Sequence, residues 1–323
     1  MTNVKSDKYV GDIVSKDGSN SQNIKSRIGL GIGAISNIMN ILKEVSLGNF
    51  YYEMAILLRQ TIFMSSVLLN SETWMNLTKN DITDLERLDE TLLRRFLDAP
   101  SKSPIPGLYL ELGVCPVRYH IMEKRLMFLH HILNCDEKRL VNEVFWAQEH
   151  NPVKNDWTLQ VKEDLKLLKL DYLSYNNIKG MKKEQFKALV KLKCKQVAFE
   201  ALITEKETKS KIKNIKYQSL QIQQYLMSSQ ISLRRKKLLF KIRTRMVATS
   251  DNFGIKIPCK ICFLGEDTIP HILDCIILKL ESPKIVSGNI LDTNDVFSND
   301  MSIVNQFVVM FEKAWRKREE ILM

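Results

Sequence analysis

The spacing of apolar residues along the chain predicts a mainly helical protein. From Ser21 onward, apolar side chains return every three or four residues, as on the buried face of an amphipathic helix. These residues are Ile24, Ile28, Ile32, Ile35, Met39 and Leu42. A further helix is predicted from Thr78, whose hydroxyl group can cap the first turn. Its apolar face comprises Ile82, Leu85, Leu88, Leu92 and Phe96. Gly48 and the proline-rich residues 100–107 are predicted to end these two helices.

Only the N-terminal residues resemble β-structure. The run Tyr9–Val14 is strand-like, and Ser15–Gly18 follows it with an Asp-Gly pair that favours a hairpin turn. Within the first predicted helix lie Gly29, Gly31 and Gly33. Their spacing does not fit a dinucleotide-binding loop and no strand closely precedes them, so close helix packing is the predicted role.

The remaining apolar segments also predict helices. The window Tyr51–Asn70 is interrupted by Glu53, Arg59 and Gln60, which favours a buried helix over a membrane span. Residues 108–133 continue the helical pattern. No proline occurs between Pro152 and Pro258, and that stretch is rich in Lys, Leu, Gln and Glu, so long helices are expected there.

The positive charge is concentrated in the middle third of the chain. The formal net charge of the whole chain is +11, and residues 151–258 alone carry 24 Lys and Arg against 9 Asp and Glu. Such a field attracts polyanions because counterions are released on binding, so RNA or DNA is the expected partner. A merely solvated surface is one alternative. An anionic membrane is another, although few aromatic anchors accompany the charge.

One predicted helix carries a ladder of lysines, at Lys183, Lys187, Lys191 and Lys195. Its buried stripe is predicted to comprise Phe186, Leu189, Val190, Cys194, Val197 and Ala201. Like charges four residues apart destabilise a helix by a few tenths of a kcal/mol per pair. Phosphates lying alongside would remove this cost, whereas a solvated face is the alternative explanation.

A second basic helix is predicted from Leu233 to Met246. It is expected to bury Leu238, Leu239, Ile242 and Met246. The cations expected to face outward are Arg234, Arg235, Lys236, Lys237, Lys241, Arg243 and Arg245. Arg and Lys side chains together suit contact with a phosphate backbone without reading base sequence. The run Arg234–Lys237 could also serve as a nuclear import signal.

The most specific chemical signature is a cluster of cysteine and histidine residues. Cys259, Cys262, His271 and Cys275 form the pattern C-x2-C-x8-H-x3-C. The first two cysteines can share a metal ion across a tight turn, and Pro270 can begin a helix that presents His271 and Cys275. Because all four ligands come from the protein, the pattern predicts a structural Zn²⁺ site. Unmetallated core cysteines are the alternative.

The other cysteines and the N-terminal residues bear on the compartment. Cys115, Cys135 and Cys194 are isolated in the sequence, which argues for core thiols in a reducing compartment and against disulfides. The polar residues 1–20 lack the apolar core of a secretory signal. The sequence therefore predicts an intracellular protein, with the nucleus as one location open to it.

Several of these motifs together resemble the C-terminal part of non-LTR (LINE-like) retrotransposon reverse transcriptases. The segment Tyr9–Gly18 is similar to the family's Tyr-Leu-Gly-x-x-Ile-x-x-Asp-Gly hairpin, which closes the polymerase domain before a helical thumb. Leu108–Gly113 is similar to a segment of that thumb, and the cluster Cys259–Cys275 with Glu266-Asp267-Thr268 is similar to the family's cysteine-histidine motif.

The resemblance implies a division into five regions. These are a remnant hairpin at 1–19, a thumb-like helical domain at 20–135, a basic helical region at 136–250, a CCHC zinc knuckle at 251–282 and a tail helix at 283–323. It also implies that the thumb and the basic helices handle a nucleic-acid template. The chain contains no adjacent Asp-Asp pair of the kind that holds two metal ions for polymerisation, so no catalytic residue of the family is carried over.

Two interpretations of function follow from the sequence. The first is a non-catalytic fragment that binds RNA or DNA through backbone contacts, with a polymerase core that another chain could supply. The second is a zinc-stapled interaction module, or a decayed retroelement product, in which the charge only maintains solubility. A hydrolase or transferase has little support because no nucleophile motif or phosphate-binding loop is present.

Overall fold

The computed structural model describes residues 6–9, 11–16, 18–44, 48–75, 77–275 and 296–323. The protein is mainly helical, as the periodicity predicts. It divides into two compact units that interleave along the sequence. The first comprises Met1–Glu44, Ile56–Leu92 and Val114–Leu202, and the second comprises Val45–Ala55, Leu93–Gly113 and Ile203–Met323. The five regions implied by the resemblance stay a prediction. Residues 276–282 of the proposed knuckle and 283–295 of the proposed tail lie outside the described residues.

The described residues form a series of α-helices. In chain order they are α1 (Ser21–Glu44), α2 (Tyr51–Leu58), α3 (Met64–Val67), α4 (Lys79–Leu97), α5 (Ile105–Leu112), α6 (Val117–Asn134), α7 (Leu140–His150), α8 (Trp157–Leu167), α9 (Tyr175–Gly180), α10 (Lys183–Glu207), α11 (Gln224–Met227), α12 (Leu233–Arg243), α13 (Ile269–Asp274) and α14 (Met301–Leu322). Among the described residues, none of these helices combines the length and the apolar composition that crossing a bilayer requires.

The N-terminal hairpin forms, but its turn lies at Gly11 and not at the predicted Ser15–Gly18. Strand β1 (Ser6–Tyr9) pairs antiparallel with β2 (Asp12–Ser15), so that Ser6 faces Ser15 and Tyr9 faces Asp12. Gly11 lies in the connection with φ of 87°, a conformation that glycine adopts without strain. The prediction of one strand over Tyr9–Val14 is therefore wrong. Ser15–Gly18 does make a turn, in which Gly18 N donates to Ser15 O at 3.0 Å, but it leads into α1.

Helix α1 confirms part of its predicted apolar face. Ile24, Ile35 and Leu42 are buried, whereas Ile32 is 56% exposed. The prediction of close packing holds at Gly31, where a Cβ atom would come within 2.5 Å of Leu88 Cδ2. At Gly29 and Gly33 a Cβ atom would meet nothing within 4 Å, so the prediction fails there.

The start of α4 is capped as the sequence indicates. Asp81 N donates to Thr78 Oγ1 at 3.1 Å, and Thr78 N donates in return to the Asp81 carboxylate at 2.9 Å. Among the predicted apolar residues, Leu85, Leu88, Leu92 and Phe96 are buried. Reciprocal capping and a continuous buried stripe together account for this helix.

The apolar window after residue 50 is not one regular helix. Between α2 and α3, residues Arg59–Phe63 form a π-helical turn. Arg59 is fully buried, and its Nε and NH2 atoms each donate to one carboxylate oxygen of Asp89 at 2.7 Å. The same NH2 atom donates to Cys115 O at 2.9 Å. A charged side chain that seemed to interrupt the apolar run therefore becomes part of the core of the first unit.

Removal of the Asp89 carboxylate should strongly destabilise the first unit, because it leaves the Arg59 charge buried without the opposite charge that compensates it. We expect Asp89→Ala to lower the free energy of unfolding by about 3–5 kcal/mol in urea denaturation. The matched control is Asp84→Ala on the same helix, whose ion pair with Arg87 is exposed. The control should cost less than about 1 kcal/mol. Equal losses in the two variants would contradict the structural role of the buried pair.

His120 provides a pH-dependent contribution to stability. Burial, followed by the charges of Arg59 and Lys191, lowers the pKa of His120 from 6.5 to about 3. Between these two pH values the unfolded chain binds a proton at His120 that the folded chain does not bind. The contribution of neutral His120 to the free energy of unfolding is therefore present above pH 6.5 and is lost as the pH falls toward 3.

We expect His120→Gln to make the free energy of unfolding less dependent on pH between 6.5 and 3. Denaturant titrations across this range would measure the change in slope relative to the wild type. His150→Gln, at an exposed histidine of α7, is the control and should leave the slope unchanged. A slope that stays the same in His120→Gln would show that the imidazole titrates normally in the folded protein.

Candidate metal centre and basic surfaces

A tight turn in the second unit brings Cys259 and Cys262 together. Cys259 N donates to Gly265 O at 2.6 Å, and Phe263 N donates to Cys259 O at 3.0 Å. Pro258 and Glu266 form an isolated β-bridge that closes the base of the turn. The backbone thus folds back on itself over a few residues, as the C-x2-C spacing predicts.

Helix α13 supplies the other two side chains. Thr268 caps it by accepting a hydrogen bond from His271 N at 3.1 Å, and Pro270 occupies the first turn. His271 lies within the helix, whereas Cys275 is the residue that follows its last turn. The predicted helix is confirmed, although Cys275 caps the helix and is not part of its regular face.

The four predicted ligands do converge on one point. The three Sγ atoms and a ring nitrogen of His271 all lie within 4.8 Å of one another. Cys262 Sγ is 3.1 Å from His271 Nε2. A tetrahedral ion with metal–sulfur bonds of about 2.3 Å needs ligand atoms roughly 3.5–4 Å apart. The arrangement is therefore compatible with a bound metal ion, held by Cys259, Cys262, His271 and Cys275.

The electrostatic environment favours a thiolate at Cys262. Burial acts to raise the pKa of its thiol, but hydrogen bonds from the backbone of Leu264 and Gly265 and from the His271 side chain outweigh this effect. Together they lower the pKa to about 6. Cys259 and Cys275 are almost fully buried, while Cys262 and His271 are partly exposed. Metal ligation requires deprotonated cysteines, so this environment suits an ion.

The cluster is anchored to the last helix by a buried ion pair. Arg318 NH2 on α14 lies 2.6 Å from Asp267 Oδ1, and both side chains are almost inaccessible to solvent. Asp267 Oδ2 also accepts hydrogen bonds from Ser250 N at 3.0 Å and from Ser250 Oγ at 2.7 Å. Gly265 is required as well, since a Cβ atom there would overlap the His271 ring. Sequence reasoning missed this anchor, because nothing in the motif points to a partner so far along the chain.

Loss of one ligand should release the metal ion and unfold the cluster locally. We expect Cys262→Ser to reduce the metal content of the purified protein to background and to increase amide hydrogen exchange in residues 255–275. Elemental analysis and exchange measured by mass spectrometry would follow the two effects. Cys135→Ser, at an isolated cysteine, is the control and should retain the metal. An unchanged metal content in Cys262→Ser would refute the assignment of this ligand.

The lysine ladder lies on one exposed face of α10 in the first unit. Lys183, Lys187, Lys191 and Lys195 are all exposed. The buried stripe comprises Phe186, Val190, Cys194, Ala198 and Leu202. The prediction was wrong for Ala201, which is exposed, and Leu189 and Val197 are only half-buried, because the stripe advances strictly by four residues.

A carboxylate approaches the middle of the ladder. Glu123 Oε1 lies 3.7 Å from Lys191 Nζ. Burial raises the pKa of Glu123, while the charges of Lys191 and Lys187 oppose that shift. In the described part of the chain, Glu123 is thus the carboxylate that forms an ion pair with the ladder.

The second basic helix differs from its prediction. Helix α12 ends at Arg243, so Arg245 lies beyond it with φ of 52°. Lys236 is only 1% exposed and Arg243 only 7% exposed, and the expectation that both face outward is wrong. Arg243 Nε donates to Glu111 Oε1 at 3.0 Å, and Glu111 also accepts from Tyr217 OH at 2.8 Å. A buried carboxylate on α5 turns this arginine inward.

Other cations of α12 are also occupied within the second unit. Glu312 on α14 lies 3.2 Å from Arg234 Nε and 3.0 Å from Arg235 Nε. Lys241 Nζ lies 2.7 Å from Asp98 Oδ2. Lys237 lies over the Tyr51 ring, with Nζ 5.3 Å from the ring centroid. Of the seven predicted contact residues on this segment, Arg234 and Arg245 are the exposed ones.

Comparisons with known proteins do not assign the chain to a family. No protein-family model matches the sequence, and neither the curated proteins nor the solved structures contain a significant match.

Proposed function

We propose that this protein is a non-catalytic nucleic-acid-binding fragment of a retrotransposon reverse transcriptase. It holds the phosphate backbone of RNA or DNA on the exposed lysine face of α10. The observation that carries the proposal is the contrast between two basic helices. Carboxylates of the fold engage most cations of α12, whereas all four lysines of the ladder are exposed and Lys191 pairs with Glu123 at 3.7 Å.

The spacing of the ladder suits a phosphate backbone. Residues four apart are separated by about 6 Å along a helix axis, since the rise is about 1.5 Å per residue. This separation is of the same order as that between neighbouring phosphates along a nucleic-acid strand. Repulsion between the four ammonium groups would be relieved when phosphates replace their counterions. An anionic partner with a regular charge spacing would thus stabilise the helix most.

We further propose that the metal ion is zinc and that its role is structural. Three thiolates and an imidazole form a soft ligand set, which zinc favours in a tetrahedral site. All four positions would be filled by side chains of the chain itself, which leaves no position for a reacting water molecule. Zinc would fix the turn Cys259–Cys262 against α13.

The family resemblance adds a context for this binding. A helical thumb followed by basic helices and a cysteine-histidine motif would grip a template without performing polymerisation. No adjacent Asp-Asp pair for two metal ions occurs in this sequence, so another chain would have to supply a polymerase core.

The zinc-stapled interaction module is the competing proposal, and the pairing of α12 with Glu312, Asp98 and Glu111 is the observation that favours it.

Neutralisation of the ladder should reduce the salt dependence of nucleic-acid binding. We expect a variant with Lys183, Lys187, Lys191 and Lys195 changed to Gln to bind more weakly. The slope of log K against log salt should fall in magnitude by about 3, since each phosphate contact contributes about 0.7–0.9. Filter binding with single-stranded and duplex DNA and structured RNA at several salt concentrations would measure the slope.

The matched control removes the same charge elsewhere on the first unit. Its four changes to Gln are at the exposed residues Lys25, Lys79, Lys138 and Lys154. If both variants lose the same slope, net charge and not the ladder governs binding. If the wild type binds no nucleic acid even in dilute buffer, the interaction module is the better proposal.

A further inference from the structure

A groove in the first unit opens beside the N-terminal half of the ladder. Helices α6 and α10 line it, and its volume is about 520 Å³. Its walls combine aromatic, amide and cationic side chains, which include Phe128, His131, Asn134, Lys183 and Lys187. The first two lysines of the ladder therefore belong to the groove as well as to the exposed face of α10.

Two rings form a short stack in this groove. The centroids of Phe128 and His131 lie 6.1 Å apart, and their planes are inclined by only 21°. Phe128 is held from another side by Trp157, whose ring meets it edge-on at 5.6 Å. His131 is exposed to solvent, whereas Phe128 is half-buried. The pair thus presents an aromatic surface that a further planar ring could extend.

Carboxylates also line the groove, and they are engaged by lysines. Glu123 lies near Lys191, and Glu72 Oε2 lies 3.6 Å from Lys124 Nζ. Lys183 and Lys187 are the exposed cations of the groove wall. The groove therefore offers positive charge and an aromatic surface side by side.

We propose that this groove is a stacking subsite for an unpaired base, so that the ligand of the ladder is single-stranded nucleic acid. This inference rests on the function proposed above and specifies its ligand. A base that stacks on His131 and Phe128 places its flanking phosphates within reach of Lys183 and Lys187. In a duplex the bases are already stacked and paired, so only the backbone reaches the ladder. Stacking of this kind tolerates any base sequence.

Fluorescence anisotropy with three oligonucleotides of equal length tests the subsite. They are a single strand of thymidines, an abasic single strand with the same phosphates, and a duplex. The wild type should bind the thymidine strand about tenfold more tightly than the abasic strand, in line with the usual contribution of a stacked base. His131→Ala should abolish most of this difference and leave the affinity for the abasic strand unchanged.

Three further variants separate stacking from charge and from folding. His150→Ala removes another exposed histidine and should behave as the wild type. Glu123→Gln removes the carboxylate beside the ladder and should tighten binding of the thymidine and abasic strands by the same factor. Phe128→Leu keeps an apolar side chain against Trp157 and should reduce the preference for the thymidine strand as His131→Ala does.

The outcomes distinguish this inference from the proposed function. Equal affinity for the thymidine and abasic strands, with a steep salt dependence for both, would overturn the stacking subsite and leave backbone binding intact. Tighter binding of the duplex than of the thymidine strand would also overturn it. Failure of the wild type to bind any of the three oligonucleotides would overturn both proposals.

Discussion

Buried arginines must be paired with carboxylates, and both units of the protein meet this constraint. Transfer of an ionised group from water into the protein interior is costly unless an opposite charge and hydrogen bonds compensate for it. The first unit meets the constraint at Arg59 with Asp89, and again at Arg125, whose NH1 atom lies 2.6 Å from Asp164 Oδ2. The second unit meets it where Arg243 lies against Glu111 and where Arg318 lies against Asp267.

The same constraint decides which cations are available to a ligand. Much of the positive charge of α12 stabilises the second unit, because Glu111, Glu312 and Asp98 approach it from other elements. Among the described residues, the ladder of α10 forms an ion pair with Glu123, at 3.7 Å. Net charge along the sequence therefore overstates the exposed positive surface of α12, whereas the four lysines of α10 are exposed as predicted. The two helices differ in their carboxylate partners, which are distant in sequence and approach α12 only in the folded chain.

Features set by neighbouring residues could be predicted from the sequence. The periodic apolar stripe of α4, its Thr78 cap and the C-x2-C turn depend on residues a few positions apart. The hairpin turn is predicted at Gly18 but lies at Gly11, because both glycines permit a turn and the sequence does not show which of them connects the two strands. Features set by distant partners could not be predicted.

Long-range partners explain the largest errors in reading the sequence. Arg243 turns inward because of Glu111, which is 132 residues away, and Arg59 is buried because Asp89 meets it from α4. The cluster of Cys259, Cys262, His271 and Cys275 has features that depend on neighbouring residues and features that depend on distant ones. Its four ligands are predicted by their spacing, while its anchor through Asp267 and Arg318 is visible only in the folded chain. A metal ion would fix the cluster internally, and the ion pair would hold it on α14.

Lysine footprinting tests most directly the claim that the exposed lysine ladder of α10, and not helix α12, holds the phosphate backbone. The rate of acetylation of each lysine would be measured by mass spectrometry with and without single-stranded DNA. We expect the DNA to protect Lys183, Lys187, Lys191 and Lys195 from acetylation, while Lys237 and Lys241 react at unchanged rates. Protection of Lys237 and Lys241 with no change at the ladder would contradict it.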